Sequence, residues 1–168
     1  MQRILVIGSS GSGKSTLARA IGARLGLPVV HLDRHYWRPG WVEPDAETWG
    51  AQVDALLEAD AWVMDGNYGG TMDRRLEAAD AVVFLDRSRW LCLWRVVWRR
   101  IRFARRTRPD MGEGCPERLN APFLHYVFGY PTSRRPGVLA RLAAAEARGV
   151  RVARLQSGRA VRDFVASL

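Results

Sequence analysis

Five short apolar runs punctuate the chain: Ile4–Ile7, Val29–Leu32, Trp62–Met64, Ala81–Leu85 and Val150–Leu155. Most are continuous rather than alternating, the pattern of strands buried on both faces of a sheet. Helical stretches separate them: Lys14–Leu25, Ala46–Glu58, Thr71–Ala78, Trp90–Arg106, Glu117–Val127, Pro136–Arg148 and Ala160–Leu168. Strand and helix alternating in this way predict an α/β protein, a parallel sheet with helices on both faces. Thr107–Pro116, rich in proline, glycine and charge, reads as a mobile loop. No internal repeat or low-complexity linker interrupts the pattern. A chain of 168 residues is long enough for a proper core, so one domain over residues 1–168 is expected.

Composition changes this picture in one respect. Apolar content of 48% and charged content of 26% are ordinary, but the net charge of +9 is not. It favours anionic partners: nucleotides, nucleic acid or an acidic lipid surface. The 26 basic residues comprise 25 arginines and a single lysine, Lys14. Cys92 and Cys115 form no CxxC pair, which argues against a zinc-bound lid and fits a reducing compartment. The N-terminal MQRILVIGSSG has too short an apolar run for a signal peptide. No run approaches the roughly 20 residues needed to cross a membrane, so a cytoplasmic protein without a membrane span is expected.

The position of the lone lysine is informative. Ile4–Ile7 reads as a strand, GSSGSGKST follows as Gly8–Thr16, and a helix pattern begins at Lys14. That strand–loop–helix context turns GxxxxGK[ST] into a strong signal for a phosphate-binding loop. Gly8, Gly11 and Gly13 permit unusual backbone angles, so successive N–H groups, including those of Ser9, Ser12 and Thr16, can converge on phosphate oxygens. The helix N-terminus adds partial positive charge. Ser15 supplies a hydroxyl for Mg²⁺. Lys14 must bring a compact charge to the β- and γ-phosphates inside a tight loop, which a planar, wider guanidinium does poorly. Where a solvated charge suffices the chain has arginine, and where geometry forbids the exchange it has lysine.

Several classes of phosphate-loop protein are excluded. A GTPase of the common type reads guanine with NKxD, which needs a second lysine. No LSGGQ-type string is present, and the chain is short for a helicase or AAA+ core. A small ATP-dependent phosphotransferase remains, with ATP, Mg²⁺ and a small-molecule acceptor as its ligands. The DGFPR string expected of an adenylate-kinase-like enzyme after the third strand is absent.

The remaining candidate residues fall at strand ends, where parallel sheets bind ligands. HLDRHYW, His31–Trp37, follows the second strand; Asp33 is the candidate for orienting or deprotonating an acceptor hydroxyl, with Tyr36, Trp37, His35 and Trp41 as pocket walls. WVMDGNY closes the third strand and resembles a Walker B element, so Asp65 is the second candidate Mg²⁺ residue. Gly66 leaves room for substrate, and Asn67 and Tyr68 are candidate acceptor contacts. Asp86 reads as a cap for the helix after strand four. Ser157 and Gly158, after the last strand, are small enough to border an adenine ring.

Residues 90–108 read WLCLWRVVWRRIRFARRTR. At about 100° per residue, Trp90, Trp94, Val97, Trp98 and Ile101 form one stripe and Arg95, Arg99, Arg102 and Arg106 another. Three uses compete: a kinase lid closing on phosphates, an amphipathic helix on an anionic membrane, and an aromatic, basic surface for nucleic acid. Position between strands four and five favours the lid, residues 88–136, with Arg99, Arg134 and Arg135 as the candidate phosphate contacts. The rival function is a nucleic-acid-binding regulator that uses ATP as a switch.

Four motifs together carry a family resemblance: GSSGSGKST, HLDxxYWxPGW over His31–Trp41, WVMDGNY, and GCPERL…F…Y…RRP over Gly114–Pro136. In combination they resemble the bacterial topology-modulation proteins, which are similar to adenylate and shikimate kinases. The resemblance implies a three-layer P-loop NTPase fold, a five-stranded parallel sheet in 2-3-1-4-5 order, and an arginine-rich helical lid. That family often carries lysine in the lid, where this chain has arginine throughout.

Overall fold

The computed structural model describes residues 1–103, 110–116 and 118–168. Five strands form one parallel sheet: β1 (Arg3–Gly8), β2 (Val29–His31), β3 (Trp62–Asp65), β4 (Ala81–Leu85) and β5 (Arg151–Leu155). Their spatial order is β2-β3-β1-β4-β5, so the expected 2-3-1-4-5 arrangement holds. The register sets Val6 of β1 and His31 of β2 on either side of Asp65 in β3. Three strand ends therefore arrive together at one edge of the sheet.

Continuous apolar strands need cover on both faces, and the helices supply it. On one side, Ile4, Val6, Val63 and Val83 pack with Leu17, Ala18 and Ile21 of α1 (Lys14–Leu25) and with partly buried residues of α8 (Gly158–Ala166). On the other, Leu5, Ile7, Met64 and Phe84 pack with Trp49 and Val53 of α3 (Ala46–Leu57), Met72 and Leu76 of α4 (Met72–Ala78), and Leu142 and Ala145 of α7 (Arg135–Ala147). All four apolar residues of β1 are fully buried. Each contributes roughly 2 kcal/mol of burial, which anchors the strand that carries the phosphate loop. Among the described residues, no helix is long and apolar enough to cross a membrane.

The structure departs from the expected elements in four places. A five-residue helix, α2 (Leu32–Tyr36), follows β2 directly; it is too short for periodicity to reveal. The arginine-rich helix, α5, spans Arg89–Arg102, and Arg106 lies outside the described residues. The next helix, α6, spans Ala121–Ser133 rather than beginning at Glu117, itself outside the described residues. The Asn120 side chain accepts from the Phe123 N–H at 2.9 Å and so sets its start, and the helix runs through Pro131. Of Thr107–Pro116, expected to be mobile, residues 107–109 lie outside the described residues and residues 110–116 are pinned to the 38–41 segment. The Gly40 N–H donates to the Gly114 carbonyl at 3.0 Å, the Trp41 indole to the Pro116 carbonyl at 3.1 Å, and Asp110, Met111 and Cys115 are buried.

Asp86 does not cap α5; Ser88 occupies that position. The carboxylate instead gathers Arg135, through Nε at 2.8 Å and Nη2 at 3.0 Å, and Arg154, through Nε at 2.7 Å. Burial pushes its pKa up, but the two guanidinium groups outweigh that and hold it below the usual carboxylate value. A depressed native pKa gives stability that is present above the unfolded value, near 3.9, and lost as pH falls through the native one. Asp86→Asn is expected to lower stability by about 2 kcal/mol at neutral pH, with the gap to the wild type closing below about pH 4. Thermal melts across pH check this.

Candidate active site

The phosphate loop is shaped by contacts that leave no room for side chains. Gly8 has φ 148°, and a Cβ there would lie 2.6 Å from the Leu85 carbonyl oxygen. Gly11, at φ 78°, abuts the Cys92 carbonyl of α5, so the loop is moulded against that helix. Arg95 of α5 donates to the Ser12 carbonyl at 3.1 Å. The Lys14 ammonium donates to the Ser9 carbonyl at 3.0 Å. Burial lowers its pKa, while the carboxylates of Asp33 and Asp65 pull it back up.

Behind Lys14 sits a relay of polar groups. The Ser15 hydroxyl donates to Asp65 Oδ2 at 2.8 Å, and Asp65 Oδ1 is bonded to His31 Nδ1. Asp65 and His31 are both buried, and the β2–β3 register makes them neighbours. Ser15 and Asp65 present a hydroxyl and a carboxylate oxygen side by side, a donor pair suited to a hard cation such as Mg²⁺. Among the described residues no group of three His, Cys, Asp or Glu side chains is placed to hold a metal ion. A cation here would share its shell with phosphate oxygens, as nucleotide Mg²⁺ does.

Across the cavity, α2 presents Asp33. Tyr68 donates its hydroxyl to Asp33 Oδ1 at 2.6 Å, and burial followed by the Asp33 charge drives the phenol pKa far upward. The phenol therefore stays a donor. Tyr36 packs against Trp37, Trp49 and Tyr68 with ring centroids 5.0, 4.9 and 4.5 Å away. Tyr36, Trp37 and Tyr68, backed by the buried Trp49, line a cavity of about 970 Å³ that the phosphate loop and Arg95, Arg99, Arg118 and Arg134 also line.

No family model matches the sequence and no curated protein matches it. Solved structures do match in three dimensions. The shikimate kinase of Acinetobacter baumannii, in complex with shikimate, is similar at a TM-score of 0.58 and 17% identity, over 99% of this chain and 90% of that one. A gluconokinase from Sinorhizobium meliloti 1021 is similar at a TM-score of 0.55 and 19% identity, over 99% and 92%. The chain has the P-loop kinase fold.

Within that fold the residues singled out from sequence are distributed unevenly. Gly11, Gly13, Lys14, Ser15, Thr16, Asp33, Tyr36, Trp37, Asp65, Gly66, Asn67, Tyr68, Arg99 and Arg134 all line the one cavity. Gly8, Ser9 and Ser12 lie beneath it in the body of the loop, with Ser9 and Ser12 buried. Arg135 is turned to Asp86. Ser157 caps α8, its hydroxyl accepting from the Ala160 N–H at 3.0 Å, and Gly158 opens that helix. Their neighbour Gln156 lines a separate cavity of about 610 Å³ with Asp86, Arg87 and Arg135. Asn67 uses both ends of its amide on the loop: its oxygen accepts from the Gly8 N–H at 3.1 Å, and its nitrogen donates to the Gly8 carbonyl at 2.8 Å. It clamps the entry to the P-loop.

Sequence reasoning missed three supports: His31 behind Asp65, Arg95 on Ser12, and Arg75. The last is fully buried and donates to the carbonyls of Gly66 at 2.9 Å, Tyr68 at 2.8 Å and Thr71 at 3.3 Å, and to that of Asn67. Burial brings its pKa down to about 10, against the opposing pull of Tyr68 and Asp73. The signal was in the spacing: Met72, Arg75 and Leu76 occupy the buried face of α4. Arg75→Met is expected to cost about 3 kcal/mol, because several buried carbonyls lose their donor at once. Denaturant unfolding measures the loss, and faster hydrogen exchange at residues 66–71 locates it.

Proposed function

We propose that this chain is an ATP-dependent phosphotransferase that moves the γ-phosphoryl group of ATP to a hydroxyl of a small acceptor, in the class of nucleosides, nucleotides and other small hydroxyl compounds. The observation that carries the reading is a single cavity with Lys14 and the Ser15–Asp65 pair on its floor and the Tyr68-held Asp33 on its wall. The P-loop kinase fold supports it. So does the resemblance of the four motifs to those of the topology-modulation proteins. In this reading residues 1–168 act as one kinase-like unit, and residues 88–136 form its lid.

The division of labour follows from geometry. The loop amides and Lys14 bind the phosphate chain and fix its direction. Ser15 and Asp65 would hold Mg²⁺, which would supply charge to offset the phosphate oxygens. Asp33 takes a hydrogen bond from the acceptor hydroxyl and is the base that receives its proton; Tyr68 keeps the carboxylate aimed by donating to Oδ1. Arg99 and Arg134, with Arg95 beside the loop, place positive charge against the negative charge on the oxygens of the transferring group. Tyr36 and Trp37 keep the acceptor side dry.

Lys14→Arg is expected to lower kcat/KM by about 100-fold or more with the fold intact, since the guanidinium cannot enter the loop. Asp33→Asn should abolish acceptor-dependent ADP release yet keep binding of a Mg²⁺–ATP analogue. A metabolite panel read by coupled ADP release, with calorimetry for binding, tests both. Unchanged turnover in Lys14→Arg would overturn the reading.

A further inference from the structure

Helix α5 is mounted the wrong way round for a surface helix. Ordinarily the apolar stripe packs inward and the charged face meets water. Here Arg95 and Arg99 face the cavity, and the buried apolar contacts are Cys92 and Val96. The stripe of large apolar side chains points out. Trp90 is 68% exposed, Trp94 62%, Trp98 54% and Ile101 63%. The Trp94 and Trp98 rings lie parallel, 6.3 Å apart at 4°, and Trp90 meets the exposed Phe128 of α6 edge-on at 5.6 Å, extending the patch onto the next helix. Isolated exposed hydrophobics need no explanation, but a contiguous row of tryptophans marks a docking surface.

We propose that this face docks on an anionic lipid surface, with the indoles at headgroup level and arginines gripping the lipid phosphates. The inference goes beyond the phosphotransfer reading and does not rest on it. Charge placement selects this occupant. At about 100° per residue, Arg102 falls along one edge of the stripe and Arg100 along the other, Arg89 lies over the Phe128 ring 4.8 Å from its centroid, and the α5 stripe itself is uncharged. An apolar centre with cationic margins is the layout of a helix lying in a membrane interface. Tryptophan is the residue favoured at that depth. The net charge of +9 adds long-range attraction to the same surface.

Two other occupants fit less well. Single-stranded nucleic acid wants cations tracking the backbone through the aromatic platform, whereas these lie outside it. A second copy of the chain would bring two sets of arginines together.

Co-sedimentation with phosphatidylcholine vesicles, with and without phosphatidylglycerol, tests the proposal on the full chain. The wild type should partition at least about tenfold more strongly onto the phosphatidylglycerol vesicles. Brominated acyl chains should quench its tryptophan emission. Trp94→Ser/Trp98→Ser should lose the binding and the quenching. Arg100→Gln/Arg102→Gln keeps the tryptophans and should lose most of the preference for the anionic lipid. All four side chains lie outside the cavity lining, so calorimetric binding of the ATP analogue serves as the folding control for both variants. Equal partitioning onto both vesicle types, or none, overturns the proposal. So does a concentration-dependent dimer that the tryptophan variant abolishes, or an oligonucleotide that binds through this face in preference to vesicles.

Discussion

The Asp65 carboxylate is the point on which the site converges. One oxygen takes the Ser15 hydroxyl and the other meets His31, so the first residues of α1, the end of β3 and the end of β2 are tied at a single group. That tie is possible because parallel strands deliver their carboxyl ends to the same edge, and because the register sets Val6, Asp65 and His31 in a row. Shift either strand pairing by one residue and the carboxylate points into the apolar layer. The phosphate loop is therefore held in place by the sheet beneath it.

A second constraint acts on the segment after β3. Residues 66–68 turn away from the sheet and leave a row of carbonyls that no neighbouring strand can satisfy. The Arg75 guanidinium rises from α4 and donates to them. With the backbone so fixed, Asn67 reaches Gly8 and Tyr68 reaches Asp33. A cation buried without a carboxylate is costly in general. Here the carbonyl dipoles and four hydrogen bonds offset that cost.

Helix α5 joins interior and exterior. Its inward arginines border the cavity and its Cys92 carbonyl shapes the Gly11 turn, while its tryptophans face away. The small core it shares with α6, made by Cys92, Val96 and Val127, is separate from the two layers of the sheet. Helices α5 and α6 are thus built on their own packing, which is how they can keep their shape beside a sheet they do not join.

Much of the protein was legible in one dimension. Continuous aliphatic runs mark strands buried on two faces, and Lys14–Leu25 and Ala81–Leu85 were bounded to the residue. The lone lysine, between three glycines and Ser15, located the phosphate loop, because steric demands on that turn are local. Asp65 at the end of β3 and Asp33 just past the end of β2 both line the cavity for a related reason: a parallel sheet opens its crevice at the carboxyl ends of its strands. What tertiary structure alone decided were the pairings between distant segments. No local pattern says that Asn67 will clamp Gly8, that His31 will stand behind Asp65, that Arg135 will turn to Asp86, or that the tryptophan stripe of α5 will face outward. Periodicity defines the faces of a helix, but which face is buried depends on what lies opposite, and only the assembled chain supplies that.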